Sequence, residues 1–160
     1  MTGIKSVNGK KGFTLVELVV TIAILGILAA IAIPIVISVM DTAAKNSEKS
    51  NAATVDQACK DYYSGVGSGV INSETKGMST QSNLPAINST ATARKTAAKN
   101  ATVVNALEYA GLGVIKEQIS SSGSEYVYDS NGNIYAKSDR TDLTNQVTDS
   151  TTLATLYGVS

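Results

Sequence analysis

The sequence predicts an α+β protein: one long N-terminal α-helix, and a small C-terminal head domain of antiparallel β-sheet and short helix packed on the C-terminal half of that helix. Three observations predict it. Leu18 to Met40 is a run of 23 residues without a charge. Beyond it, "DTAAKNSEKSNAATVDQACKDYYSG" contains no proline, and no glycine before Gly65, while Ala44, Asn51, Val55, Ala58 or Cys59, and Tyr62 recur at helical spacings. Finally, "EYVYDSNGNIYAKS", Glu125 to Ser138, alternates on both sides of Asn131-Gly132, a pair suited to a tight hairpin turn. The chain therefore divides into a basic leader at 1–12, a long helix at 13–64 whose apolar part is 18–40, and a head domain at 65–160.

The leader carries Lys5, Lys10 and Lys11 and no acid. At about 1.5 Å per residue the uncharged run reaches roughly 34 Å, slightly more than a hydrocarbon core of about 30 Å. Lysines before it and Asp41 after it place the N-terminus in the cytoplasm by the positive-inside rule. The run is too long for a secretory signal peptide, and no small-residue cleavage site follows it. Thr14 to about Tyr63 reads as one helix of roughly 75 Å, apolar all round in its first half and on one stripe in its second. Such length without caps calls for neighbours.

Gly65 to Thr90 is rich in Gly, Ser and Asn and reads as a long loop. Ala91 to Ala110 fits a helix through Ala93, Ala97, Ala101, Val104 and Leu107. The tail from Thr141, with Leu143, Val147, Leu153 and Leu156, suits strand and short helix equally.

Composition narrows the chemistry. With no histidine and a single cysteine, Cys59, there is no Cys/His metal cage, no nucleophile–histidine pair and no intramolecular disulfide. No catalytic residue, metal ligand or cofactor is expected, and Cys59 is expected to pack as a small apolar group. From Phe13 onward ten basic residues face thirteen acidic ones, so nucleic acid is not an expected partner. Arg94, Lys95 and Lys99 read as a solvated helix face. Asp129 to Asn133 has a faint calcium-loop pattern, but its glycine comes two places early and Arg140 stands where the twelfth-position glutamate belongs, which favours a hairpin turn. The sequons at Asn88 and Asn100 are what chance gives in so Asn/Ser/Thr-rich a chain.

Two residues look like defects in a membrane helix: Glu17 at its mouth and Pro34 near its end. A carboxylate in the membrane costs on the order of a few kcal/mol at the centre and less near an end, so it calls for a partner. Pro34 removes the hydrogen bond to the Ala30 carbonyl, and Gly26 adds backbone freedom eight residues earlier, so the helix is expected to kink or loosen there. Gly12 has no side chain, so the backbone there can extend without steric cost, and Phe13 stands one helical turn from Glu17.

Taken together, "KKGFTLVELVVTIAILGILAAIAIP" resembles the N-terminus of type IV pilins and pseudopilins. Charge, glycine, aromatic, acid and proline all stand at the family's offsets between Lys10 and Ser38; nothing after Tyr63 matches at that level. The resemblance implies the lollipop pilin fold, cleavage between Gly12 and Phe13 by a prepilin peptidase, and N-methylation of Phe13. It also implies that Glu17 neutralises the amine of an adjacent subunit, and that Gly26 to Pro34 is an extensible segment. The expected protein is a structural subunit of a type IV pilus, serving adhesion, surface motility or aggregation. It waits in the membrane as a single-pass precursor and then enters an extracellular homopolymer through its N-terminal helices, driven by an assembly platform and ATPase. Many pilins of double-membrane bacteria staple the C-terminal segment with a disulfide; its absence here favours a single-membrane source. The alternatives are a pseudopilin of a secretion or DNA-uptake apparatus, and a membrane-tethered surface-binding module that never polymerises.

Overall fold

The computed structural model describes residues 12–75, 84–86, 88–119 and 122–159. The leader lysines Lys10 and Lys11 and the middle of the expected Gly65–Thr90 loop lie outside them. The chain forms two compact units, Met1–Thr42 and Ala43–Ser160.

In the first unit the described residues run from a short non-helical stretch, 12–14, into helix α1, Leu15–Ser68. Straight-chain and branched aliphatics sustain it, and it is continuous through Gly26 and Pro34. Its side chains in this unit are exposed throughout.

The second unit is built on the remainder of α1. Ala52, Val55, Ala58, Cys59, Tyr62 and Val66 form its buried stripe. Of the residues expected there, Val55, Ala58, Cys59 and Tyr62 are buried, Asn51 is half-buried and Ala44 is exposed. Around the stripe lie α2 (Ala91–Asn100), α3 (Val103–Tyr109), α4 (Gly113–Lys116), the antiparallel strands β1 (Tyr126–Tyr128) and β2 (Ile134–Ala136), and α5 (Leu153–Tyr157). One core joins them, with Val103, Leu107, Tyr126, Val147, Leu153 and Leu156 closing on the α1 stripe. Tyr62 meets Tyr109 edge-on at 5.7 Å, and Tyr63 meets Tyr157 at 5.1 Å. The tail supplies both kinds of structure, a bridge from Gln146 to Val127 and then α5.

Polar contacts tie β2 and the residues flanking it to α1. Asp56 accepts the Ile134 N–H at 3.2 Å and the Lys60 ammonium at 2.7 Å, while Lys60 also reaches the Asn133 side-chain oxygen at 3.1 Å. Ser138 donates to Glu48 at 2.6 Å, and Lys49 pairs with Asp139 at 3.2 Å.

The structure corrects three local expectations. First, α1 does not give way to loop at Gly65 but runs on to Ser68. Ile71 folds back over Gly65, its N–H bonded to the Gly65 carbonyl at 3.0 Å, and a β-carbon on Gly65 would lie 2.5 Å from Ile71 Cδ1. This glycine makes room for packing and does not break the helix. Second, Ala91 to Ala110 is two helices. Ala101 is extended (ψ 147°), and Thr102 starts α3 with a capping box to Asn105. The break lets Val103 N–H bond to Thr151 O and Leu153 N–H to Ala101 O, at 3.0 and 2.8 Å, joining this segment to α5. The buried positions consequently become Ala98, Ala101, Val103, Ala106 and Leu107, with Ala93 exposed.

Third, the hairpin is closed by five residues, Asp129 to Asn133, because Tyr128 pairs with Ile134. Only Gly132 in this loop takes positive φ, +81°. Asp129 organises the loop: its carboxylate accepts the N–H groups of Asn131 and Asn133 at 2.9 and 3.0 Å and the Tyr135 hydroxyl at 3.2 Å. Desolvation pushes the Asp129 carboxyl up, but hydrogen bonds from Asn133, Asn131 and Tyr135 outweigh it and hold the group below its ordinary value. A depressed folded pKa contributes stability that is full above the unfolded value of about 3.9 and is lost as pH falls through the folded one. Asp129→Asn should therefore lower the head's stability at pH 7 by about 1–2 kcal/mol and flatten its loss below pH 4, measured by urea unfolding across pH.

Gly132 is held more tightly still. A β-carbon there would stand 2.4 Å from the Leu156 carbonyl oxygen and 2.6 Å from Tyr157 Cδ1. Gly132→Ala should cost about 3 kcal/mol through the clash and the strained φ, read as a lower urea midpoint with an unchanged m-value.

Candidate processing and assembly site

The start of α1 shows why the chain turns helical where it does. Thr14 stands before the first helical residue, and its hydroxyl accepts the Glu17 N–H at 3.3 Å. Glu17 answers: its Oε2 accepts both the Thr14 N–H and the Thr14 hydroxyl, each at 2.9 Å. This is a capping box, satisfying donors that the first turn leaves open. The carboxylate also lies at the positive end of the helix dipole. The sequence reading singled out Glu17 and missed Thr14, although Thr-x-x-Glu ahead of an apolar run is the signature of this cap.

Gly12 and Phe13 precede the cap in non-helical chain. No described residue lies within 4 Å of the position a Gly12 β-carbon would take, and Phe13 is 89% exposed. Among the described residues nothing covers the Gly12-Phe13 peptide. Gly26 and Pro34 both sit inside α1, 9 and 17 positions after Glu17. Lys10 and Lys11 lie outside the described residues.

From Leu15 to Met40 every Val, Leu, Ile and Met side chain is at least 50% exposed. A soluble monomer rarely presents apolar patches beyond a few hundred Å², and this segment is apolar on all sides over several turns. It is long and apolar enough to cross a membrane. Hydrocarbon or the apolar faces of other helices would cover it, and a helix satisfies its own backbone in either setting.

Elsewhere the chemistry is quiet. No cluster of three or more His, Cys, Asp or Glu suited to a metal occurs among the described residues. Burial, with the nearby negative charge of Asp56, pushes the Cys59 thiol up to about 12, so it carries almost no thiolate at neutral pH.

Residues 7–33 match the family model for the prokaryotic N-terminal methylation motif. The motif is characteristic of type IV pilins and pseudopilins, which are structural proteins, and this chain is similar to them over that N-terminal stretch. It implies processing by a prepilin peptidase and assembly into a pilus-like polymer, and the apolar helix it overlaps suggests a membrane-anchored precursor. No curated protein and no solved structure matches the chain.

Proposed function

We propose that the chain is a type IV pilin. The observation that carries this reading is the all-round exposed apolar segment of α1, most of which lies within the methylation motif itself, a surface that needs lipid first and like helices later. The precursor sits in the cytoplasmic membrane with its N-terminus inside. Prepilin peptidase cuts between Gly12 and Phe13, and Phe13 is N-methylated. An ATPase-driven platform then moves the subunit into an extracellular fibre, where the N-terminal helices form the core and the heads form the surface used for adhesion, motility or aggregation. Glu17 of each subunit pairs with the amine of a neighbour and sets the axial register. Within the fibre, Gly26 to Pro34 is the stretch that extends.

The test combines two measurements. Mass spectrometry of the mature N-terminal peptide should find methylated Phe13, and electron microscopy should find long surface fibres that vanish on gene deletion. An N-terminus at Met1 would overturn the reading in favour of a tethered module that does not polymerise. Methylated Phe13 without fibres, accompanied by lost secretion or DNA uptake on deletion, would identify a pseudopilin instead.

A further inference from the structure

We propose that Lys60 and Asn133 form an intramolecular isopeptide bond, a covalent modification joining α1 to the loop between β1 and β2, with Asp56 as its acid–base group. The proposal stands on the second unit alone and does not depend on the pilin reading. The Lys60 ammonium donates to the Asp56 carboxylate at 2.7 Å and, across 73 positions of sequence, to the Asn133 carboxamide oxygen at 3.1 Å. On the other side of the carboxamide, Asn133 Nδ2 donates to Asp129 Oδ2 at 3.1 Å. A cation thus faces the oxygen and a carboxylate faces the nitrogen, which fixes the orientation of the carboxamide. Asp129 is itself held by the Asn131 and Asn133 amides and the Tyr135 hydroxyl. Asp56 is anchored as well, accepting the Ile134 N–H at 3.2 Å, with its side chain 19% exposed.

These are the parts of an amide exchange. Passing one proton from Lys60 to Asp56 leaves a neutral amine beside a carbonyl whose carbon lies about 1.2 Å behind the contacted oxygen. The Nζ lone pair then bonds to Asn133 Cγ and the Cγ–Nδ2 bond breaks. The amide nitrogen departs as ammonium, carrying the two protons that Lys60 gives up, one of them by way of Asp56. One ammonium is consumed and one released, so no oxidant, reductant or activating group is required. The reaction runs once in the life of a chain, so holding the two groups in contact suffices even at a slow rate. Lys49 and Lys116 meet carboxylates, which carry no such leaving group. The ties at Glu48 and Lys49 stay reversible beside the new bond.

The experiment is peptide mapping of the full-length chain from its own cells, denatured and cut with trypsin. The expected product is a branched peptide, residues 50–76 joined to 117–137, uncut after Lys60 and lighter than its two arms by about 17 Da, the mass of ammonia. Lys60→Arg keeps the charge and the Asp56 pair, so the chain should fold and yield separate peptides at full mass. Asp56→Asn keeps an acceptor for the Ile134 N–H but not the proton acceptor, and should slow linking by about a hundredfold or more, leaving chains mostly unlinked. Wild-type peptides cleaved after Lys60, with Asn133 intact, would overturn the proposal. So would a loss of about 17 Da that persists in Lys60→Arg, because a succinimide at Asn131-Gly132 sheds the same ammonia without lysine. Linkage at the wild-type level in Asp56→Asn would remove Asp56 from the reaction.

Discussion

Glu17→Gln should leave leader removal intact and abolish fibres. Glutamine keeps the length and planarity of the side chain, and its carbonyl oxygen can still accept from the Thr14 N–H and hydroxyl that now hold Glu17 at 2.9 Å. The start of α1 thus survives, and with it the exposed Gly12-Phe13 peptide that the peptidase must reach. What disappears is the charge. In a docked fibre the amine of the adjacent subunit would then be surrounded by apolar helices with no counter-charge. Breaking a buried pair by removing one partner costs about 3–5 kcal/mol, more than the pair contributes over a neutral packing of equal shape. Because the same contact recurs at every subunit added, about 4 kcal/mol corresponds to roughly a thousandfold shift in the concentration needed to elongate. Electron microscopy and sheared-fraction blots should show no fibres, while mass spectrometry finds the cleaved N-terminus in the membrane. Normal fibres from Glu17→Gln would remove the pairing role.

Gly12→Val should stop the protein one step earlier. No described residue lies within 4 Å of a Gly12 β-carbon, so substitution clashes with none of them and α1 should fold as before. On the proposed reading the burden falls on the protease complex, where a branched side chain would stand beside the cleaved bond in place of a hydrogen. Displacing a reacting group by about 1 Å is enough to cost about a hundredfold in rate. Intact-mass measurement on membranes should find the precursor with its leader attached, no methylated Phe13, and no fibres. Cleavage at the wild-type rate would show that glycine is not required at this bond. The two variants separate processing from assembly: one yields uncut precursor, the other cut but unassembled subunit.

These expectations draw on the part of the chain most legible in the sequence. Glu17 in the first turn of α1 and the apolar run behind it lie next to one another, and their chemistry acts over one or two helical turns, so order along the chain carries the information. The buried stripe through Val55, Cys59 and Tyr62 is legible for the same reason. What escaped depends on residues distant in sequence or on competition between nearby polar groups. Gly65 reads as a loop residue until Ile71 is seen lying over it. The break at Ala101 and Thr102 is fixed by hydrogen bonds to Thr151 and Leu153, some fifty positions later. Asn131-Gly132 signals a two-residue turn, but the carboxylate of Asp129 claims the amides of Asn131 and Asn133 and widens the loop to five. Thr14 is legible too, because its bonds to Glu17 follow from a Thr-x-x-Glu pattern three residues long.

The ties between α1 and β2 bear on how the molecule would take mechanical load. Glu48 with Ser138, Lys49 with Asp139, and Asp56 with the Ile134 N–H are separate, non-covalent and spread over about two turns of helix. Under a pull each can open on its own and close again once the force drops, with no chemical reagent needed to restore it. A disulfide in the same place would hold to a higher force but would need thiol chemistry to re-form after reduction. A head fastened in this way would yield in small steps and recover, a useful property if, as proposed, it forms the surface of a fibre under load.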